Sequence, residues 1–173
     1  MKKNILAVIG LLLILIVAAC DEGTQNEKET QNIKEMVQEY STGNSDDVSA
    51  SITSQELFVT DSESNETSYE LPEDEFFVSI APYVDSTHPC AIHSLTGCQG
   101  ELAEEEFEIN IKDEEGNVVV DETVTSFKNG FIDLWLPRNQ TFQVKIERNG
   151  KTAESEISTF EGDNTCITTM QLL

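Results

Sequence analysis

The soft metal-binding side chains of this 173-residue chain are concentrated in one short stretch and one distant cysteine. The stretch His88-Pro89-Cys90-Ala91-Ile92-His93-Ser94-Leu95-Thr96-Gly97-Cys98 holds both histidines and two of the four cysteines, with Cys166 far downstream and Cys20 near the start. Thiolates combined with imidazoles favour Cu(I) or Zn over Ca, Mg or Mn, because ligand softness governs selection. Cys90 and Cys98 are too far apart for a zinc-knuckle pair, whose cysteines stand two to four residues from one another. Pro89 and Gly97 mark turns, so the stretch reads as an ordered loop that can close around a small ion. The same residues allow a disulfide plus one spare cysteine, and three cysteines besides Cys20 leave at least one thiol free, metal-bound or paired with another molecule.

The N-terminus supplies an address. Lys2 and Lys3 precede an apolar run from Ile5 to Ala19 that is short for a membrane span. The run ends Val17-Ala18-Ala19-Cys20, which resembles a bacterial lipobox in which the cysteine is acylated. Residues 1–20 are therefore predicted as a lipoprotein signal peptide with Cys20 as the lipidation site, which places the mature chain outside the cytoplasm on a lipid anchor. The formal net charge is −23, and the leader contains two of the basic residues and none of the acidic ones, so the mature chain is more acidic still. Nucleic acid is excluded as a partner, since phosphate binding needs Lys and Arg. Anionic lipid is excluded as an electrostatic dock, which leaves anchoring to the acyl chains.

The remaining residues must position the cluster. Residues 21–30 carry no apolar side chain and read as a flexible tether. Ile33, Met36, Val37 and Tyr40 fall at helical spacing, and Gly43 and Asn44 end that helix. A second short helix is predicted from Asp46 to Glu56, with Val48, Ile52 and Gln55 on one side. Leu57 to Thr60 and Thr67 to Leu71 flank a polar loop as a hairpin. Residues 31–71 thus form a small α+β region, too small for an independent core, that packs on the rest of the chain or on a second copy. From residue 72 the pattern becomes strands: Phe76–Ile80, Phe107–Ile111, Val118–Val120, Phe131–Leu136, Phe142–Ile146, Thr152–Phe160 and Cys166–Leu172, with Asn149-Gly150 as a hairpin turn. This spacing predicts a mainly β fold, with an antiparallel β-sandwich over 72–173 carrying the metal loop at one end. Trp135, the phenylalanines and Met170 are assigned to the core, and Glu101 to orienting a histidine.

Several segments carry a family likeness. His88-Pro89-Cys90, His93-Ser94-Leu95, Gly97-Cys98-Gln99-Gly100-Glu101, Phe131 to Arg138 and Phe160 to Thr168 resemble the CueP family of cell-envelope copper-binding proteins. The resemblance runs from about Ile33 to the C-terminus. It implies an envelope copper carrier, associated with copper tolerance and with supplying copper to superoxide dismutase, in a two-domain chain that can form a homodimer. The family cysteines map onto Cys90, Cys98 and Cys166, and a family histidine onto His93. The lipoprotein leader departs from the Gram-negative periplasmic setting in which the family is best known.

The leading expectation is a membrane-tethered copper-binding protein, a carrier or buffer and not an enzyme. It would hold Cu(I) with two or three thiolates from Cys90, Cys98 and Cys166, with His93 as a further ligand and His88 ranked after it. It would pass the ion to a copper-receiving protein. Copper ranks above zinc on the resemblance, since the ligand types allow both. Two other classes fit the same residues: a thiol-based Cu(II) or Fe(III) reductase, and a disulfide-stapled structural or interaction domain. There is no phosphate loop or nucleophile elbow, and the histidines all lie in the metal loop.

Overall fold

Phe76-Phe77-Val78-Ser79-Ile80 is a strand former with almost no polar alternation, and such a strand needs cover on both faces. The computed structural model describes residues 22–43 and 47–173; the leader and Cys20 lie outside these. In chain order the elements are α1 (Glu22–Thr42), β1 (Ser49–Ile52), β2 (Glu56–Thr60), β3 (Glu66–Glu70), β4 (Glu75–Ile80) and β5 (His93–Ser94). They continue with β6 (Glu106–Lys112), β7 (Val118–Thr125), β8 (Ile132–Pro137), β9 (Thr141–Arg148), β10 (Lys151–Ser158) and β11 (Cys166–Ile167).

Strand β4 is buried from Phe76 to Ile80 and is the middle of a sheet ordered β11-β4-β8. On one face, Phe76, Val78 and Ile80 join Leu134 and Leu136 against Phe107, Ile109, Phe142 and Val144 of a second sheet, β10-β9-β6-β7. That pair of sheets is the expected sandwich, and β6 alternates buried and exposed residues as its sequence does. The opposite face presents Phe77 and Trp135 to a third sheet, β3-β2-β1-β5, and to α1. Ile33, Val37, Ile52, Leu57 and Leu95 complete this second core. The N-terminal region therefore borrows apolar surface from the sandwich, each buried large side chain contributing roughly 1.5–3 kcal/mol. Its cover is the same chain.

The structure corrects three expectations. Helix α1 begins at Glu22, so the segment read as a tether is helical; Gln25, Glu27 and Lys28 extend a helix readily once the Ile33–Val37 stripe docks. The predicted second helix over 46–56 is instead β1 and the start of β2. Ala50 and Ile52 are both fully buried, two residues apart as a strand requires; Val48 and Ile52, four apart, satisfy either period. The last segment is the third difference. Only Cys166 and Ile167 form a strand, parallel to β4, followed by a single bridge between Tyr83 and Gln171. The predicted hairpin is present as β2 and β3, and Asn149-Gly150 turns with φ of 51° and 77°, the left-handed pair such a two-residue turn requires.

The metal loop runs between β4 and β6. It is not confined to the end of the sandwich, because β5 within it is the edge strand beside β1. Its far side is fixed by a backbone crossing. Gly100 N–H donates to Asn129 O at 2.6 Å, and a Cβ on Gly130 would lie 2.7 Å from the Gly100 carbonyl. Gly130 also has φ of 78°. Gly130→Ala is expected to cost about 2–3 kcal/mol through combined clash and backbone strain. Gly116→Ala, at φ 85° with open space around it, should cost only about 1 kcal/mol. Chemical denaturation of the two variants separates the crossing from the turn.

Candidate metal centre

Three local devices converge the scattered ligands. The first acts on His93. Pairing of His93 with Ile52 turns the imidazole inward, where it has zero exposure. Its ring centroid is 4.5 Å from that of Phe131 and 6.2 Å from that of Phe77. The second is Thr165. Its hydroxyl donates to Ile52 O at 2.6 Å and accepts from His93 N–H at 3.1 Å, clipping the β1–β5 pair to the residue before Cys166. Ala91 O accepts from the N–H groups of Thr165 and Cys166, which fixes the residue after Cys90 to the same place. The third is a turn in which Ser94 O accepts from Gly97 and Cys98 N–H, folding Cys98 back over His93.

The result is two overlapping sets of ligands. His93, Cys98 and Cys166 offer atoms that all lie within 4.8 Å of one another, as do His88, Cys90 and Cys98. All three cysteines are free thiols, and the Cys90 and Cys98 sulfurs are 3.7 Å apart. Every residue singled out as a metal ligand from the sequence is thus in the cluster. Glu101 is not. Its carboxylate accepts from the N–H groups of Val84, Asp85 and Ser86, so it ties down the strand-to-loop segment and touches no histidine. Those bonds, led by Ser86, hold its pKa below the usual carboxylate range. Met170 is buried in the sandwich core, as expected.

Electrostatics make Cys98 the centre of the cluster. The neighbouring Cys166 thiol holds the Cys98 thiol far below the usual thiol range, with burial opposing. Cys166 is pushed up by the neighbouring Cys98 and by burial; burial also raises Cys90. Neither nitrogen of His93 makes a hydrogen bond of good geometry, although the ring is close enough to Cys98 to favour its thiolate. A buried polar group left without a partner costs about 1–3 kcal/mol. A soft metal ion bound between His93, Cys98 and Cys166 would satisfy one of those nitrogens, so the residues fit such an ion.

Two contributors were not singled out from the sequence. Phe131 walls both sets, its ring centroid lying 6.4 Å from that of His88 as well as against His93. Asp133 shares a row across the central sheet with Ser79 and Cys166. Its carboxylate accepts from Ser79 and Ser41 hydroxyls at 2.5 Å each, joining α1 to the sheet. An acidic residue inside the apolar run Phe131–Leu136 was the available signal.

A mainly β chain with a largely shielded thiol–imidazole cluster is, as a class, a soft-metal-binding protein. The family of the periplasmic copper-binding protein CueP matches residues 31–171, and the chain belongs to that family. The crystal structure of S.CueP is similar, with a TM-score of 0.77 and 34% sequence identity over 87% of this chain and 98% of that one. No curated protein sequence matches.

Burial raises the Asp133 pKa, with the hydroxyls of Ser41 and Ser79 and the nearby His93 opposing. The folded protein therefore keeps this proton to higher pH than the unfolded chain. The stability it contributes is complete below the unfolded carboxylate range and is lost as pH rises through the folded value. Asp133→Asn cannot titrate, so its stability relative to wild type should rise as pH is raised from 4 to 8. Urea denaturation across that range checks it; a difference independent of pH would show that Asp133 is ionised throughout.

Proposed function

We propose that this protein is an extracytoplasmic Cu(I) carrier or buffer, tethered to the membrane through acylated Cys20. The observation that carries the reading is His93: an imidazole with no exposure and no hydrogen bond, placed against two thiols. Cys90, Cys98 and Cys166 supply two or three thiolates, His93 a further ligand, and His88 a weaker one. Trigonal sulfur coordination suits Cu(I) and disfavours hard cations, while structural zinc takes four closed ligands. Membership of a copper-binding family supports copper over zinc. No helix among the described residues is long and apolar enough to cross a membrane, so the tether rests on the leader and the lipobox. The reading includes a copper-receiving protein and a homodimer, both on the family resemblance.

A second reading rests on the 3.7 Å separation of the Cys90 and Cys98 sulfurs. Two Cu(II) ions could take one electron each from these thiols, giving a Cys90–Cys98 disulfide, two Cu(I) ions and two protons. Without a reductant to reopen the disulfide, this happens once per chain.

Anaerobic titration of the reduced mature chain with Cu(I) against a chromophoric chelator tests the main reading. Cys98→Ala should weaken binding by more than about 100-fold, and His93→Ala by about 10-fold or more. Absence of competition by the wild-type protein would refute the carrier and leave a structural domain. In cells, Cys20→Ser should move the protein from the membrane to the soluble fraction.

A further inference from the structure

Cys98 belongs to both ligand sets, and it is the one residue they share. Their other members differ in access. His93 and Cys166 are 0% and 1% exposed, whereas His88 and Cys90 are half-buried. The histidines contact Phe131 from separate positions, His88 at 6.4 Å between centroids and His93 at 4.5 Å. A cavity of about 310 Å³ between the end of β10 and residues 162–169 reaches Cys90 and Cys166, with Glu156 and Asp163 in its lining. The cavity thus reaches one cysteine of each set, the half-buried Cys90 and the buried Cys166, and its acidic lining favours a cation.

We infer that the centre has two stations: an outer one of His88, Cys90 and Cys98 that receives and releases copper, and an inner one of His93, Cys98 and Cys166 that stores it. This deepens the copper-carrier reading and rests on it. Cu(I) enters at the outer station and never leaves the Cys98 sulfur. His88 dissociates as His93 coordinates. Cys166 then loses its proton and forms a Cu–S bond, while the Cu–S bond to Cys90 breaks and Cys90 takes up a proton. The exchange is neutral in protons and electrons, and at each stage two or three bonds to copper are kept, a coordination number Cu(I) accepts. The 3.7 Å between the Cys90 and Cys98 sulfurs lets one ion bridge them without rearrangement of the fold. His88 consequently governs the rate of transfer, and His93 the strength of holding.

Stopped-flow transfer of Cu(I) between a chromophoric chelator and the reduced, full-length mature chain separates these roles. His88→Ala is expected to slow loading and release alike by about tenfold, with the equilibrium affinity changed by less than about threefold. His93→Ala should do the reverse, weakening affinity with loading little changed. Cys166→Ser should still bind copper through the outer station, more weakly, and the double variant Cys90→Ser/Cys166→Ser should not bind. Equal loss of affinity in the two histidine variants would overturn the two stations in favour of one composite site. An unchanged rate in His88→Ala would overturn them as well. Failure of the wild-type chain to take Cu(I) is a separate outcome, and it would sink the carrier reading itself.

Discussion

Burial of β4 on both faces is the constraint on which the rest of the molecule depends. Phe76, Val78 and Ile80 hold the sandwich together, while Phe77 on the reverse face supports the N-terminal sheet and α1. Neither core is complete without that strand, so the two regions are coupled through it. Its free edge then recruits β11, and with it Cys166. A substitution at Phe77 would therefore act on the second core and on the wall behind His93 together.

The candidate metal centre lies at the seam these layers create. One side is the edge of the N-terminal sheet, bearing His93 on β5; the other is the edge of the central sheet, bearing Cys166 on β11. Thr165 spans the seam with one hydroxyl, giving and receiving a hydrogen bond. Because protein interiors are close-packed and transmit strain, the geometry of the ligands follows the packing of the two cores. The Ser41–Asp133–Ser79 row extends the same coupling to α1. Placing polar groups at such a seam is costly unless they are paired, which is why an unpartnered imidazole there carries meaning.

Charge and softness play separate roles. The net charge of −23 raises the local concentration of cations but does not choose among them. In the proposed reading, selection falls to the thiols of Cys90, Cys98 and Cys166 and the imidazoles beside them. The thiol and imidazole around Cys98 lower its pKa, which favours the thiolate form that a soft ion binds. Phe131 lies beside both imidazoles.

How much was legible varied with how local the cause was. The helical stripe of Ile33 to Tyr40, the β2–β3 hairpin and the alternation of β6 depend on near neighbours and were readable. Val48 and Ile52 carried two periods at once, and only contact with β2 and β5 decided for a strand. The polar stretch before Gln31 gave no sign of the helix it joins. Glu101 has the chemistry to orient a histidine, but its reach is used by three backbone N–H groups that no side-chain pattern announces.

By itself, the sequence determined the donor types, their clustering, the mainly β character and the acidity, because these follow from residue identity and short-range spacing. The tertiary structure alone decided which ligands are shielded and which are open, that Cys98 is shared, and that Cys166 returns to the loop beside a parallel strand. Those properties arise from contacts between residues far apart in the chain, such as His93 with Ile52 and with Thr165, where chain order carries no distance information and only packing of both faces of β4 supplies it.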